Sequence, residues 1–370
     1  KIALITDTHF GVRSDSPAFA KYQYKFYDDI FFPYLEKNNI KNLIHLGDTV
    51  DRRKFINFKT LNDFRNKFLL RLWDLKIDSH FIVGNHDTYY KNTNEINAAH
   101  ELFTTFDGKH EPYIYHKPKV VEFDGFRILM VPWICPENAE ETRMMLEQES
   151  ADLICGHLEV KGFEMHKGVI NNHGLDRTYL KRFEKVFSGH FHKKSDDGHI
   201  YYLGTQYEMT WSDYNCPKGF HIFDTDTREL SRIENPNLMF KKIIYNDKET
   251  NYDEFDITPY DKTFIKLYIS NKTDTDMYER LMDRLYNHIN LHAIDVIEDP
   301  TDIGASVRED ILEQGEDTLT FLGNYIDQVD SELDKQKLKA FAKELYMEAS
   351  EWYYLKEFHT KTFYLQAINL

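Results

Sequence analysis

Short apolar runs punctuate the first half of the chain, and most of them end in a polar cluster. They are "KIALIT" (1–6), "NLIHLG" (42–47), "HFIVG" (80–84), "FRILMVPW" (126–133), "DLICGH" (152–157) and "KVFSGH" (185–190). Their length and aliphatic content predict buried strands. Between the early runs, "YKFYDDIFFPYLEKNN" and "FKTLNDFRNKFLLRLWDL" space their apolar residues by three or four, which predicts helices with one buried face. Strands alternating with helices make an α/β sheet domain. Lys1 opens directly on the first run, so an initiator methionine alone is expected to be missing from the numbering.

After "GFHIFDTDT" (219–227) the pattern changes. "KTFIKLYIS" (262–270) alternates like a strand, "DMYERLMDRLYNHI" (276–289) has helical spacing, and "LHAIDVIE" (291–298) is again strand-like. Residues 235–298 are therefore expected to form a small α+β domain apart from residues 1–234. The segment 299–307, containing "DPTDIGAS", has the composition of a linker. Beyond it, 308–329 and 331–349 are predicted to be a helical pair. The first carries a stripe of Ile311, Leu312, Leu319, Leu322, Tyr325, Ile326 and Val329, to be buried on its own neighbour or on a partner. The aromatic tail 351–370 has no assigned role.

The polar clusters repeat a few residue types: "TDTHFG", "GDTVD", "GNHD", "CGHLE" and "SGHFH". Ligands of open α/β sheets bind at the carboxyl ends of strands. Asp7, His9, Asp48, Asn85, His157, His190 and His192 would then form one set of oxygen and nitrogen donors. Without a thiol and with several imidazoles, such a set suits manganese, iron or zinc better than a magnesium or calcium cage. Asp7 and His9, like His190 and His192, stand at i and i+2, which puts both side chains on one face if the backbone is extended. Seven donors exceed the needs of one ion and suffice for two that share a carboxylate, the arrangement used for phosphoryl transfer.

Composition narrows the class. At 370 residues, with 41% hydrophobic and 15% aromatic content, the chain can build two or three cored domains. Cys135, Cys155 and Cys216 have no metal or disulfide spacing, which favours a reducing compartment. No apolar run reaches membrane-spanning length and no signal peptide pattern opens the chain. A net charge of −16 argues against non-specific attraction to nucleic acid, but the charge is unevenly placed. Residues 52–76 hold eight basic and two acidic residues, whereas 291–350 hold 15 acidic and five basic.

The motifs "DTHFG", "GDTVDRR", "GNHD", "GHLE" and "GHFH" resemble those of the calcineurin-like metallophosphoesterases, a two-sheet sandwich flanked by helices. With the small α+β domain and the helical pair, the chain resembles one branch, the nuclease subunits of double-strand-break repair complexes, SbcD-like in bacteria. Within it the chain is most similar to the recombination endonuclease subunits of T4-like bacteriophages. The resemblance implies a manganese-dependent DNA exonuclease and endonuclease, with magnesium as the alternative ion, acting in the host cytoplasm. Asp7, His9 and His192 would hold one ion, Asn85, His157 and His190 the other, and Asp48 would bridge. His86 would contact the phosphate and protonate the leaving 3′-oxygen, with Asp87 behind it either fixing the imidazole or capping the loop. Many relatives carry a second histidine where Asp51 stands, so that role does not transfer to it. Arg52 or Arg53 could meet the phosphate instead, or both could be solvated surface residues. The resemblance also implies a homodimer through helices in 58–75 and 94–106, and a coiled-coil ABC-type ATPase bound through 308–350. Other readings are a protein phosphatase or nucleotide phosphodiesterase with the same site, and a non-catalytic scaffold, which would be expected to lose ligands.

Overall fold

Successive side chains of a strand face opposite ways, so each buried strand here must satisfy two apolar layers. A computed structural model describes residues 1–103, 111–123, 125–166 and 169–298, and beyond them Ile326, Lys335, Lys337, Leu338, Lys339 and Phe341, these last helical. The linker 299–307, the tail 351–370 and the rest of the helical pair 308–350 lie outside the described residues, as do 104–106. Residues 1–302 form one compact unit and 303–370 another.

Two six-stranded sheets face each other. The first runs Leu230–Glu234, Gly219–Phe223, Ile2–Ile5, Asn42–His45, Asp78–Ile82, Tyr113–Tyr115. The second runs Ser195–Asp196, Ile200–Tyr202, Lys185–Ser188, Leu153–Gly156, Phe126–Val131, Lys119–Phe123. Ile2, Leu4, Ile44, Leu46 and Ile82 meet Ile128, Met130, Leu153, Cys155 and Phe187 between the sheets. Their neighbours Ala3, Ile5, Leu43 and Phe81 face outward under an aromatic layer that includes Phe26, Tyr27, Phe31, Phe64 and Phe68. On the far side, Leu129, Val131, Ile154 and Val186 are covered by Leu146, Leu158 and Leu180. Six apolar runs thus become strands buried on both faces, the sandwich implied by the resemblance.

Both predicted helices form, each interrupted by a π-helical turn. Pro33 has no N–H to give to the carbonyl four residues back, and the wider turn Tyr27–Phe31 lies just before it. The helical run from Phe58 to Asp74 contains a similar turn at Arg65–Leu69. Its apolar stripe, expected to serve a dimer, faces inward: Phe64, Phe68, Leu69 and Leu72 are buried in the chain's own core, with Ala99 and Phe103 of the second expected helix. Helical periodicity marks a buried face without saying what buries it.

Phe240–Asn246, Phe264–Asn271 and Ala293–Ile297 form a third, all-parallel sheet. Helix Thr275–Asn287, capped at its start by Asp274, covers one face with Leu281 and Leu285. The strand at 240–246 had no separate reading in the sequence. It is anchored beside Phe19, Tyr207 and Trp211, and the buried Glu208 accepts the N–H groups of Met239 and Phe240 at 2.6 and 3.0 Å.

Candidate metal centre

Strand register gathers the motif loops. Ile5 pairs with His45 and His45 with Phe81, so three parallel strands of the first sheet end side by side. Val131, Gly156 and Ser188 end level in the second sheet. Loops 6–10, 46–51, 83–88, 157–160 and 189–192 therefore leave from one end of the sandwich.

The backbone there is not extended, contrary to the premise of the i and i+2 pairing. Asp7, His9, Asp48 and His190 have φ of 50°, 42°, 56° and 84°, the left-handed region that side chains other than glycine seldom occupy. The donors converge through these sharp local bends. Two glycines make room for them. A Cβ on Gly47 would overlap the His157 ring, and one on Gly84 would overlap Asp48 Oδ1.

All seven expected donors come together. Asp7, His9 and His192 offer ligand atoms within 4.8 Å of one another, and so do Asp48, His157 and His190. His9 Nε2 and His192 Nε2 are 3.1 Å apart. Asn85 Oδ1 lies 2.9 Å from His157 Nε2 and 3.1 Å from His190 Nδ1. Asp48 Oδ2 is buried without a hydrogen-bond partner among the described residues, while His157 Nε2 and His9 Nε2 approach it at 3.2 and 3.9 Å. One oxygen thus faces both groups, which fits two divalent ions sharing a carboxylate.

Around the donors lies a supporting layer. Asp87 accepts four backbone N–H groups, from Gly84, Asp48, Thr49 and Val50, at 2.8–3.1 Å. The His86 N–H donates to Asp48 Oδ1 at 2.7 Å, and its Nδ1 lies 2.5 Å from the Asp51 carbonyl. The Asp51 carboxylate stands behind His9, 3.6 Å from its Nδ1. Arg52 is drawn away, ion-paired with Asp15 and set over the Phe55 ring. Arg53 Nη1 is buried without a hydrogen-bond partner among the described residues.

Several supporting groups stand outside the expected donor set. Thr6 donates to Asp7, Gln23 and Tyr207 both donate to the Thr8 carbonyl, and His157 Nδ1 is held by the Leu46 carbonyl at 2.8 Å. Trp133 packs 5.0 Å from the His190 ring. It follows a sixth strand end, "MVPW", the one clue that could have brought it in.

Charge is concentrated among buried side chains. Burial pushes the Asp7 carboxyl up to about 6, with Asp48 adding to the rise and His157 opposing it. Burial raises Asp87 to about 6 as well, helped by Asp48 and opposed by the N–H groups it accepts. Burial disfavours charge on His157, yet Asp48 outweighs it and holds the imidazole at about 9. Asp48 itself resists burial through His157 and His86 and stays well below the usual carboxylate range. Buried carboxylates of this kind call for compensating cations.

Comparison with known proteins agrees with this geometry. Residues 1–194 match the family model for calcineurin-like phosphoesterases. A curated relative, "Exonuclease subunit 1" of Enterobacteria phage T4, is 33% identical over 365 residues, covering 95% of this chain and 100% of its own length. Among solved structures, an archaeal phosphodiesterase aligns at 14% identity with a TM-score of 0.32, over 63% of this chain and 99% of its own. GAP50, an anchor in the inner membrane complex of Plasmodium, aligns at 9% identity with a TM-score of 0.34, over 64% of this chain and 89% of its own. Likenesses that slight bear on nothing further. Among the described residues no helix is long and apolar enough to cross a membrane. By its matched domain, its full-length relative and its two adjoining donor groups, the chain belongs to the calcineurin-like phosphoesterase family, enzymes that hydrolyse phosphate esters with divalent metal ions.

Proposed function

We propose that the chain is a two-metal DNA nuclease of double-strand-break processing and recombination. One observation carries this reading: the chain aligns over 95% of its length with the whole of a phage exonuclease subunit while all seven donors stand together. When bound, two divalent ions supply an activated water and neutralise charge on the phosphate. Asp7, His9 and His192 would hold one ion, Asn85, His157 and His190 the other, and Asp48 would serve both.

The remaining residues orient and move protons. His86 keeps Nδ1–H on the Asp51 carbonyl, so the proton it gives to the leaving 3′-oxygen sits on Nε2. Asp51, in the place of a second histidine, positions His9 through its carboxylate and His86 through its carbonyl. Arg53 supplies the phosphate contact, since Arg52 is engaged by Asp15. Asp87 clamps the 84–88 loop to 48–50 and touches no substrate.

Residues 235–298 cap the site on the DNA side, 308–350 bind a coiled-coil ATPase, and the enzyme works as a homodimer in the host cytoplasm with manganese. A protein phosphatase or nucleotide phosphodiesterase would use the same donors. The deciding experiment offers the purified chain single- and double-stranded DNA with manganese or magnesium, with and without the ATPase. Manganese-dependent release of nucleotides is expected. Turnover of phosphoprotein or nucleotide diesters with intact DNA would overturn the reading.

A further inference from the structure

Two loops that carry proposed catalytic groups also carry exposed rings. Tyr89 and Tyr90 follow Thr88, whose hydroxyl donates to the Asn85 carbonyl at 3.1 Å. Phe55 follows Asp51, whose carbonyl holds His86. Although they follow closely on residues of a buried centre, Tyr89, Tyr90 and Phe55 are 38%, 49% and 63% exposed. Tyr89 is fixed further: its N–H donates to the Ile96 carbonyl at 2.9 Å, and its ring packs edge-on to Tyr90 with centroids 4.7 Å apart.

Cations accompany the rings. Lys54 Nζ lies 5.5 Å from the Tyr89 centroid, tying the two loops together and leaving its ammonium for the strand's phosphates, while the Arg52 guanidinium, held by Asp15, packs 4.8 Å from the Phe55 centroid and fixes that ring. Lysine is depleted in the apolar cores of protein interfaces, whereas rings interleaved with cations are how proteins hold unpaired bases and the phosphates between them.

We infer that Phe55, Tyr89 and Tyr90 form a stacking platform for unpaired bases of the strand being cut. This rests on the nuclease reading above. The platform stands outside the donor groups, so binding is read on the full-length chain by fluorescence anisotropy with a chelator present, which keeps the strand whole.

The probes are a short single-stranded oligonucleotide and its abasic counterpart, identical in phosphates but without bases. The unaltered chain is expected to bind the base-bearing strand at least about tenfold more tightly. Tyr89→Ala with Phe55→Ala is expected to erase that difference while leaving affinity for the abasic strand unchanged. Tyr89→Leu with Phe55→Leu keeps apolar area but no ring face and should behave like the alanine pair. In manganese, all three proteins are expected to cut the abasic strand at one rate.

Equal binding of both strands by the unaltered chain overturns the platform and leaves the nuclease reading standing. Retained base dependence in the alanine pair also overturns it. If leucine restores what alanine loses, and sedimentation shows the alanine pair falling from dimer to monomer, the rings are a subunit interface and the inference is wrong. Failure to bind either strand overturns the platform, and the nuclease reading falls with it only if the chain also leaves both strands uncut in manganese.

Discussion

His86 is held at two points that a truncation would treat differently. Its backbone N–H bonds Asp48 Oδ1, and its ring bonds the Asp51 carbonyl. His86→Ala keeps the first and loses the second, so Asp48 stays in place while the proton donor disappears. DNA cutting is expected to fall by about a hundred- to ten-thousandfold. Calorimetric titration should still find two manganese ions per chain, and undiminished cutting would remove His86 from the mechanism. Asp87 is the contrasting neighbour. Its carboxylate satisfies four backbone donors, which an asparagine with one oxygen and an NH2 group cannot do. Asp87→Asn should cost about 2 to 3 kcal/mol of stability in denaturant titration and reduce metal affinity with it. A stable variant with normal metal binding would show that the loop does not depend on this clamp.

The strand ends were legible because each donor cluster stops an apolar run, and parallel register places those stops at one edge. The left-handed bends at Asp7, His9, Asp48 and His190 were not, since no residue there is glycine and nothing local announces a positive φ. Nor were Gln23 and Tyr207, which reach the site from outside the strand-end clusters, or Thr6 and Trp133, which stand at strand ends but are not metal donors. Helix 58–74 shows a different limit. Its stripe was visible, but periodicity is the same whether a face meets the chain's own sheet or another molecule. That ambiguity also applies to the acidic helical pair expected over 308–350. If its stripe from Ile311 to Val329 serves a partner, deleting 308–350 should abolish ATPase binding in a pull-down. Manganese-dependent phosphodiesterase activity should survive, because every donor lies between Asp7 and His192. Full ATPase binding by the shortened chain would place the partner surface elsewhere.

At the scale of the molecule, Glu208 joins the sandwich to the third sheet. It is fully buried, and one of its oxygens accepts both Met239 and Phe240 N–H where the chain enters strand 240–246. Burial raises its carboxyl to about 7, beyond what the two N–H groups recover. The folded state therefore binds this proton more tightly than the unfolded chain, whose glutamate titrates near 4.5. The stability contributed by the neutral form is complete below about pH 4.5 and is lost as pH rises through about 7. Glu208→Gln keeps an oxygen for both N–H groups and removes the titration. Between those two pH values the unfolding midpoint of the natural chain should decline relative to that of the variant, and the two curves should run parallel above and below. Parallel curves throughout would mean that Glu208 does not change its protonation on folding, and that the junction is held by the apolar contacts of Phe19, Trp211 and Phe240 alone.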